Sequence, residues 1–126
     1  MAIGYSKELD CSFEEAEEKV RQALYINGFG VMTKGDVKTA LSKAGFDFED
    51  YIILGACYPK YAYEALNSNP EIGLLLPCNV ILYKKKDKVI VCAINPVEAM
   101  SILNNPEIEK IAFIIKEKLE RVIDSL

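Results

Sequence analysis

Apolar residues recur three and four positions apart along several stretches of the chain, which is the pattern of helices that bury one face. Ser12 precedes the first stretch, where it can form a capping box with Glu15, and a proline begins three of the later ones. The last helix carries an apolar stripe from Ile108 to Ile123, with Phe113 outside it. The spacing predicts five helices, at residues 13–25, 37–44, 59–66, 96–103 and from 106 towards the C-terminus.

Shorter apolar runs, rich in β-branched residues, predict strands. Pro77 interrupts one of them, and because proline has no N–H to donate, that strand must bend or shift there. Lysines at 84–88 lie between the last two runs, which therefore pair as a hairpin. The predicted strands are Ile3–Glu8, Phe29–Lys34, Tyr51–Cys57, Leu74–Tyr83 and Val89–Ile94. The order β-α-β-α-β-α-β-β-α-α predicts an α+β fold with a mainly antiparallel sheet and helices packed on one face.

The strands carry more apolar residues than a sheet with one solvated face requires. Such sheets alternate apolar and polar positions, whereas 52–54, 80–82 and 89–91 are apolar at consecutive positions. Both faces of the sheet therefore need cover. We predict a homodimer in which a second copy covers the free face. The alternative is that loops and the helix after Pro59 cover it within one chain.

Composition narrows the class of protein. The 126 residues fit a single domain, which we predict to span residues 1–126. A net charge of -4, from 19 acidic and 15 basic residues, disfavours a nucleic-acid partner. Since no run approaches the roughly 18 apolar residues of a membrane span and the N-terminus lacks a secretory signal, we expect no membrane partner and a cytoplasmic location. In that compartment the four cysteines are expected to be thiols.

Two cysteines stand where regular structure breaks. Cys57 ends the third strand just before the helix that begins at Pro59, and Cys78 directly follows Pro77. If their strands are neighbours, the two sulfurs meet, and the N-terminus of the helix lowers the pKa of the Cys57 thiol. The alternative is that both cysteines only fill space at strand ends. The candidate ligand-binding residues are Cys57, Tyr58, Cys78, Asn79 and, as a further polar neighbour, Asp36.

Several catalytic and metal-binding arrangements are absent from the sequence. The chain has no histidine, which removes Cys-His and Ser-His nucleophile pairs. Its cysteines form no CxxC pair of the kind that binds zinc, and no GxxxxGK[ST] phosphate loop occurs. We therefore assign no catalytic residue, no metal ligand and no cofactor.

The chain also resembles a known family, the bacterial and archaeal proteins called domain of unknown function 302. The resemblance is carried by Gly55–Pro59, Pro70–Val80 and Asn95-Pro96, with Asp36 upstream. It spans nearly the whole chain, and GLLLPCNV at 73–80 is its most specific piece. It implies a small α+β fold similar to the TATA-binding-protein-like arrangement and a dimer, but no activity. Tyr58 stands where the family commonly has Asn, and Asn95 where it commonly has Asp.

Three functions of different classes remain open. The leading hypothesis is a small-molecule or thiol-ligand binding module, homodimeric, with its pocket beside Cys57 and Cys78. The first alternative is a thiol redox or thiol-transfer enzyme, which requires an accessible cysteine with a lowered pKa. The second alternative is an accessory protein-interaction domain that uses the apolar sheet face.

Overall fold

The computed structural model describes residues 3–126; residues 1 and 2 of the predicted 1–126 domain lie outside the described part. The five strands are β1 (Gly4–Leu9), β2 (Gly30–Asp36), β3 (Tyr51–Cys57), β4 (Cys78–Lys85) and β5 (Lys88–Ile94). The five α-helices are α1 (Phe13–Ile26), α2 (Val37–Lys43), α3 (Pro59–Ser68), α4 (Pro96–Met100) and α5 (Pro106–Asp124), and 3₁₀ helices occupy Pro70–Leu75 and Ser101–Leu103. None of the helices in this part of the chain combines the length and apolar character needed to cross a lipid bilayer.

The strands form one sheet in the order β1-β5-β4-β3-β2, and every neighbouring pair is antiparallel. α1 carries the chain from β1 at one edge to β2 at the other, and the remaining strands then return step by step to β1. The α+β class predicted from the sequence is confirmed. The likeness to the TATA-binding-protein-like arrangement stays a prediction.

Local signals explain most boundaries. The hydroxyl of Ser12 accepts a hydrogen bond from the Glu15 amide at 3.1 Å, which satisfies one free N–H at the start of α1. Asn105 does the same for α5, where its side-chain oxygen accepts from the amides of Glu107 and Ile108. Both caps lie where the sequence predicted helix starts.

The segment before β4 differs from the prediction. Leu74 and Leu75 were assigned to a long strand, but they end the 3₁₀ helix Pro70–Leu75, and β4 begins only at Cys78. The physical reason is a local start signal: the Asn69 side chain accepts from the amide of Glu71 at 3.0 Å and winds the chain into a turn. Leu74 is 85% exposed, as expected for a residue outside the sheet.

The core lies between one face of the sheet and the helices. Alternate strand residues such as Leu54, Val80 and Val91 are fully buried there, and α1 and α5 pack against them with Val20 and Leu119. The two amphipathic helices therefore account for every second residue of the apolar runs, and the residues in between point to the opposite face.

The opposite face carries two rows of apolar side chains across the three central strands. Tyr51, Tyr83 and Ile90 form one row in register, and Ile53, Ile81 and Cys92 form the next. The Tyr51 and Tyr83 rings stack, with centroids 5.5 Å apart. All six are half-buried or buried by their neighbours within the single chain. We call these two rows the outer apolar rows.

Candidate ligand cavity

The ends of β3 and β4 bring Cys57 and Cys78 to the same end of the sheet. Ala56 and Cys78 are partners in the antiparallel register, so Cys57 lies one residue beyond the pair. β3 ends here because Tyr58 and Pro59 begin α3. β4 begins here because Pro77, which has no N–H, precedes Cys78. The neighbourhood of the two cysteines is thus set by two prolines at two strand ends.

A cavity of about 290 Å³ opens beside the two cysteines. It lies under α3 and the 3₁₀ helix that follows, and α4 and α5 close its other side. The residues that line it are Phe29, Met32, Ala56, Cys57, Tyr58, Tyr61, Ala62, Ala65, Leu66, Gly73, Leu76, Pro77, Cys78, Pro96, Met100, Ile111, Ala112 and Ile115. Met32 and Leu66 are 64% and 40% exposed, so the wall reaches the protein surface at these two side chains, which we call the mouth.

The cavity wall is chemically uniform. None of the lining residues is charged, and the side-chain polar groups among them are two thiols and two tyrosine hydroxyls. Small residues at Ala62, Ala65 and Ala112 leave the space that larger side chains would fill. Such a wall holds the apolar part of a molecule and offers few hydrogen bonds.

The thiols that adjoin the cavity are poor nucleophiles at neutral pH. Burial, with a smaller contribution from the neighbouring Cys57, raises the pKa of Cys78 to about 11. Burial also raises the pKa of Cys57 above its ordinary value. This is the opposite of the lowering expected from the N-terminus of α3, because burial disfavours the charged thiolate. All four cysteines are free thiols.

Tyr58 forms one wall of the cavity within an aromatic cluster. Its ring packs edge-on against Phe29 at 5.3 Å and lies 5.3 Å from the ring of Tyr61. Gly28 makes room for it, because a Cβ there would lie 2.7 Å from the Tyr58 ring, and Gly28 also has a positive φ of 89°. The aromatic residue that departs from the family pattern is therefore a fixed part of the wall.

Two of the residues selected from the sequence lie away from the cavity. Asn79 is exposed on the opposite sheet face, because consecutive strand residues point to opposite sides and Cys78 points inward. Asp36 is the register partner of Ile52, five residues along β3 from Cys57, which places it about 17 Å away at roughly 3.4 Å per residue. Its carboxylate caps α2 by accepting from the Thr39 amide at 3.0 Å. That bond holds the pKa of the Asp36 carboxyl below its usual value.

The far wall of the cavity comes from α4 and α5 and was not predicted from the sequence. Ile111 and Ile115 were interpreted as core residues of the α5 stripe, which they also are, and Met100 was not singled out. The available signal was Ala112, a small residue inside a stripe of isoleucines, since a small side chain at an inward position leaves space. Within residues 3–126, no three His, Cys, Asp or Glu side chains are grouped so as to hold a metal ion.

Comparisons place this geometry among known proteins. Residues 5–126 match the family described as Domain of unknown function DUF302. The chain is similar to the crystal structure of an uncharacterized conserved DUF302 protein from Bacillus stearothermophilus, with 27% sequence identity over 98% of each chain and a TM-score of 0.92. No curated protein matches the chain.

Proposed function

Since the chain belongs to the DUF302 family, whose description assigns no activity, we propose from its own geometry that it is a homodimeric binding protein for a small, largely apolar molecule held beside Cys57 and Cys78. The observation that carries the proposal is the uncharged cavity of about 290 Å³. The four free thiols are compatible with a reducing compartment and support a cytoplasmic location for the protein.

The volume sets the size of the ligand. A cavity of about 150 Å³ holds benzene, so about 290 Å³ has room for roughly twice as many atoms, on the order of a dozen excluding hydrogen. Met32 and Leu66 at the mouth allow such a molecule to enter. Burial of its apolar surface supplies the affinity, because the wall offers few polar partners.

Thiol chemistry is the weaker alternative. Attack by cysteine needs the thiolate, and burial raises the pKa of both Cys57 and Cys78. The two thiols serve the proposed site better as small, polarizable parts of an apolar wall. A ligand that is itself a thiol gains nothing from them at neutral pH, so we favour a small molecule over a thiol ligand.

The outer apolar rows support the dimer. β4 is the central strand of the sheet, with β5 on one side and β3 on the other. If two copies pack with their outer apolar rows face to face about a twofold axis parallel to β4, the β5 side of one copy lies over the β3 side of the other. Each Ile90 then faces the Tyr51 of the other copy, and the lysines of the 84–88 hairpin face the acidic segment 47–50. Apolar contact at the centre and opposite charges at the rim favour a second copy over a heterologous partner.

Light scattering in solution tests the dimer. The wild-type chain is expected to have twice the mass of one chain, and Ile81→Lys, which puts a charge at the centre of the rows, is expected to have the mass of one. Tyr25→Lys, at a residue of α1 that is 81% exposed, is the control and should remain dimeric. A wild-type chain that is monomeric at micromolar concentration contradicts the proposal. A monomer that retains the rows and captures a defined partner supports the accessory-domain alternative.

Thermal unfolding with 1-octanol tests the binding function. If each of the nine or so non-hydrogen atoms of 1-octanol contributes about 0.5 kcal/mol of binding free energy, the dissociation constant of 1-octanol is about 0.5 mM. A 1-octanol concentration about six times this dissociation constant is then expected to raise the midpoint of unfolding by about 4 °C. The double variant Ala65→Leu/Ala112→Leu fills the cavity and should lose this shift, whereas Ala40→Leu on exposed α2 should keep it. Equal shifts in all three proteins contradict the proposal.

A further inference from the structure

Two lysines stand over the two tyrosines that line the cavity. The Nζ atom of Lys118 lies 4.9 Å from the centre of the Tyr58 ring, and that of Lys60 lies 5.2 Å from the centre of the Tyr61 ring. The two rings are 5.3 Å apart and both line the cavity, so the two ammonium groups flank one pair of tyrosines in an otherwise uncharged wall. A positive charge over the face of a tyrosine is favourable but leaves most of its hydrogen-bonding capacity free.

Neither ammonium group is neutralised by the protein. Within residues 3–126, the ion pairs join other side chains, and neither Lys60 nor Lys118 takes part in one. Glu64 lies four residues after Lys60 and Glu117 is adjacent to Lys118, yet neither carboxylate pairs with these lysines. The cluster therefore carries net positive charge at its tyrosine rings.

We infer that the ligand is an amphipathic anion, a medium-chain carboxylate whose apolar chain fills the cavity and whose headgroup meets Lys60 and Lys118. This inference rests on the proposed binding function and specifies its ligand class. The wall accounts for the chain, since it holds no charged residue. The two unpaired ammonium groups account for the headgroup, because each has hydrogen-bond donors free for a carboxylate at the Tyr58–Tyr61 end of the cavity. An alkyl carboxylate of about eight carbons fits the capacity of roughly a dozen atoms.

The alternative role of the two lysines is structural, in which they only cover the tyrosine rings with their aliphatic stems. The two roles differ in one measurable respect. A structural role affects neutral and anionic ligands of the same chain length equally, whereas a headgroup role affects the anion alone. A comparison of octanoate with 1-octanol therefore separates them.

The experiment is calorimetric titration of octanoate and 1-octanol at pH 8 into the wild type and into the Lys60→Gln/Lys118→Gln double variant. The loss of each lysine charge is expected to weaken octanoate binding about 3-fold, and the loss of both about 10-fold. The affinity for 1-octanol is expected to change by less than about 2-fold. Lys43→Gln, an exposed lysine of α2, removes one charge elsewhere and should change neither affinity.

The outcomes are distinguishable. If both ligands bind the wild type and the double variant loses affinity for both equally, or for neither, the headgroup assignment is overturned while the binding function stands. If neither ligand binds the wild type, the proposed function fails and the assignment fails with it. Selective loss of octanoate in the double variant, with 1-octanol binding retained as proof of an intact cavity, supports the inference.

Discussion

Enlarging one alanine of the cavity wall is expected to stabilise the protein without any ligand. Ala112 is 1% exposed and lines the cavity from α5. Ala112→Leu adds three carbon atoms that leave water, worth about 2.4 kcal/mol, and loses about 0.7 kcal/mol of side-chain entropy. The net gain of about 1.7 kcal/mol corresponds to a midpoint of unfolding about 6 °C higher, at the usual unfolding entropy per residue.

The matched control is the same change where no space exists. Ala16 on α1 is fully buried and does not line the cavity. Ala16→Leu must therefore push neighbouring side chains aside, which is expected to cost about 1–3 kcal/mol. Urea and thermal unfolding of the two variants give the signs directly. If Ala112→Leu is destabilised as much as Ala16→Leu, the space beside α5 is not available to a side chain and the reasoning from the cavity fails.

Three further predictions concern the ends of β3 and β4. Because the pKa of Cys78 is raised to about 11 in the folded chain, the stability that its protonated thiol contributes is complete below about pH 9 and is lost between about pH 9 and 11. The free energy of unfolding of the wild type should fall across this range by about 2 kcal/mol more than that of Cys78→Ala. Parallel curves for the two proteins contradict the assignment. Alkylation of Cys57 at pH 7 should be no faster than that of glutathione, since burial raises the pKa of its thiol; a fast thiol would revive the enzyme alternative. Gly55→Ala should cost about 1–3 kcal/mol, because its Cβ would lie 2.5 Å from Pro77 Cγ; Gly35→Ala, whose Cβ would meet Ile53 at an ordinary 3.8 Å, should change stability by less than about 0.5 kcal/mol.

The elements that the sequence predicted well are those with local causes. The capping residues Ser12 and Asn105 start their helices by hydrogen bonds within three residues, so the sequence alone reveals them. The apolar run around Leu74 was misassigned because apolar residues do not distinguish a strand from a 3₁₀ turn, and the Asn69 cap decided the outcome.

The candidate site was predictable in part. Strand ends and prolines placed Cys57 and Cys78 at breaks in the chain, and adjacent strands brought them together. Asn79 was selected for its position next to Cys78, although the two-residue period of a strand sends it to the other face. Asp36 was included for its resemblance to a family pattern, and no contact with the cavity supports it.

The remaining wall was beyond reach of sequence reasoning. Ala112 on α5 is 55 residues from Cys57, and its place depends on how α5 lies across the sheet. An apolar stripe identifies the face of a helix that is buried, but it does not define which strands the helix crosses or where packing leaves a gap. Cavities arise from such mismatches between elements, so they become visible only in the assembled fold.

Methyl NMR of the methionines tests the central claim most directly. Met100 is 6% exposed and lines the interior of the cavity, whereas Met32 is 64% exposed at its mouth. With ¹³C-labelled methionine methyl groups, 1-octanol at saturating concentration is expected to shift both signals, with one dissociation constant near about 0.5 mM. A Met100 signal that stays fixed while Met32 moves shows contact with the surface only, and contradicts a ligand held beside Cys57 and Cys78.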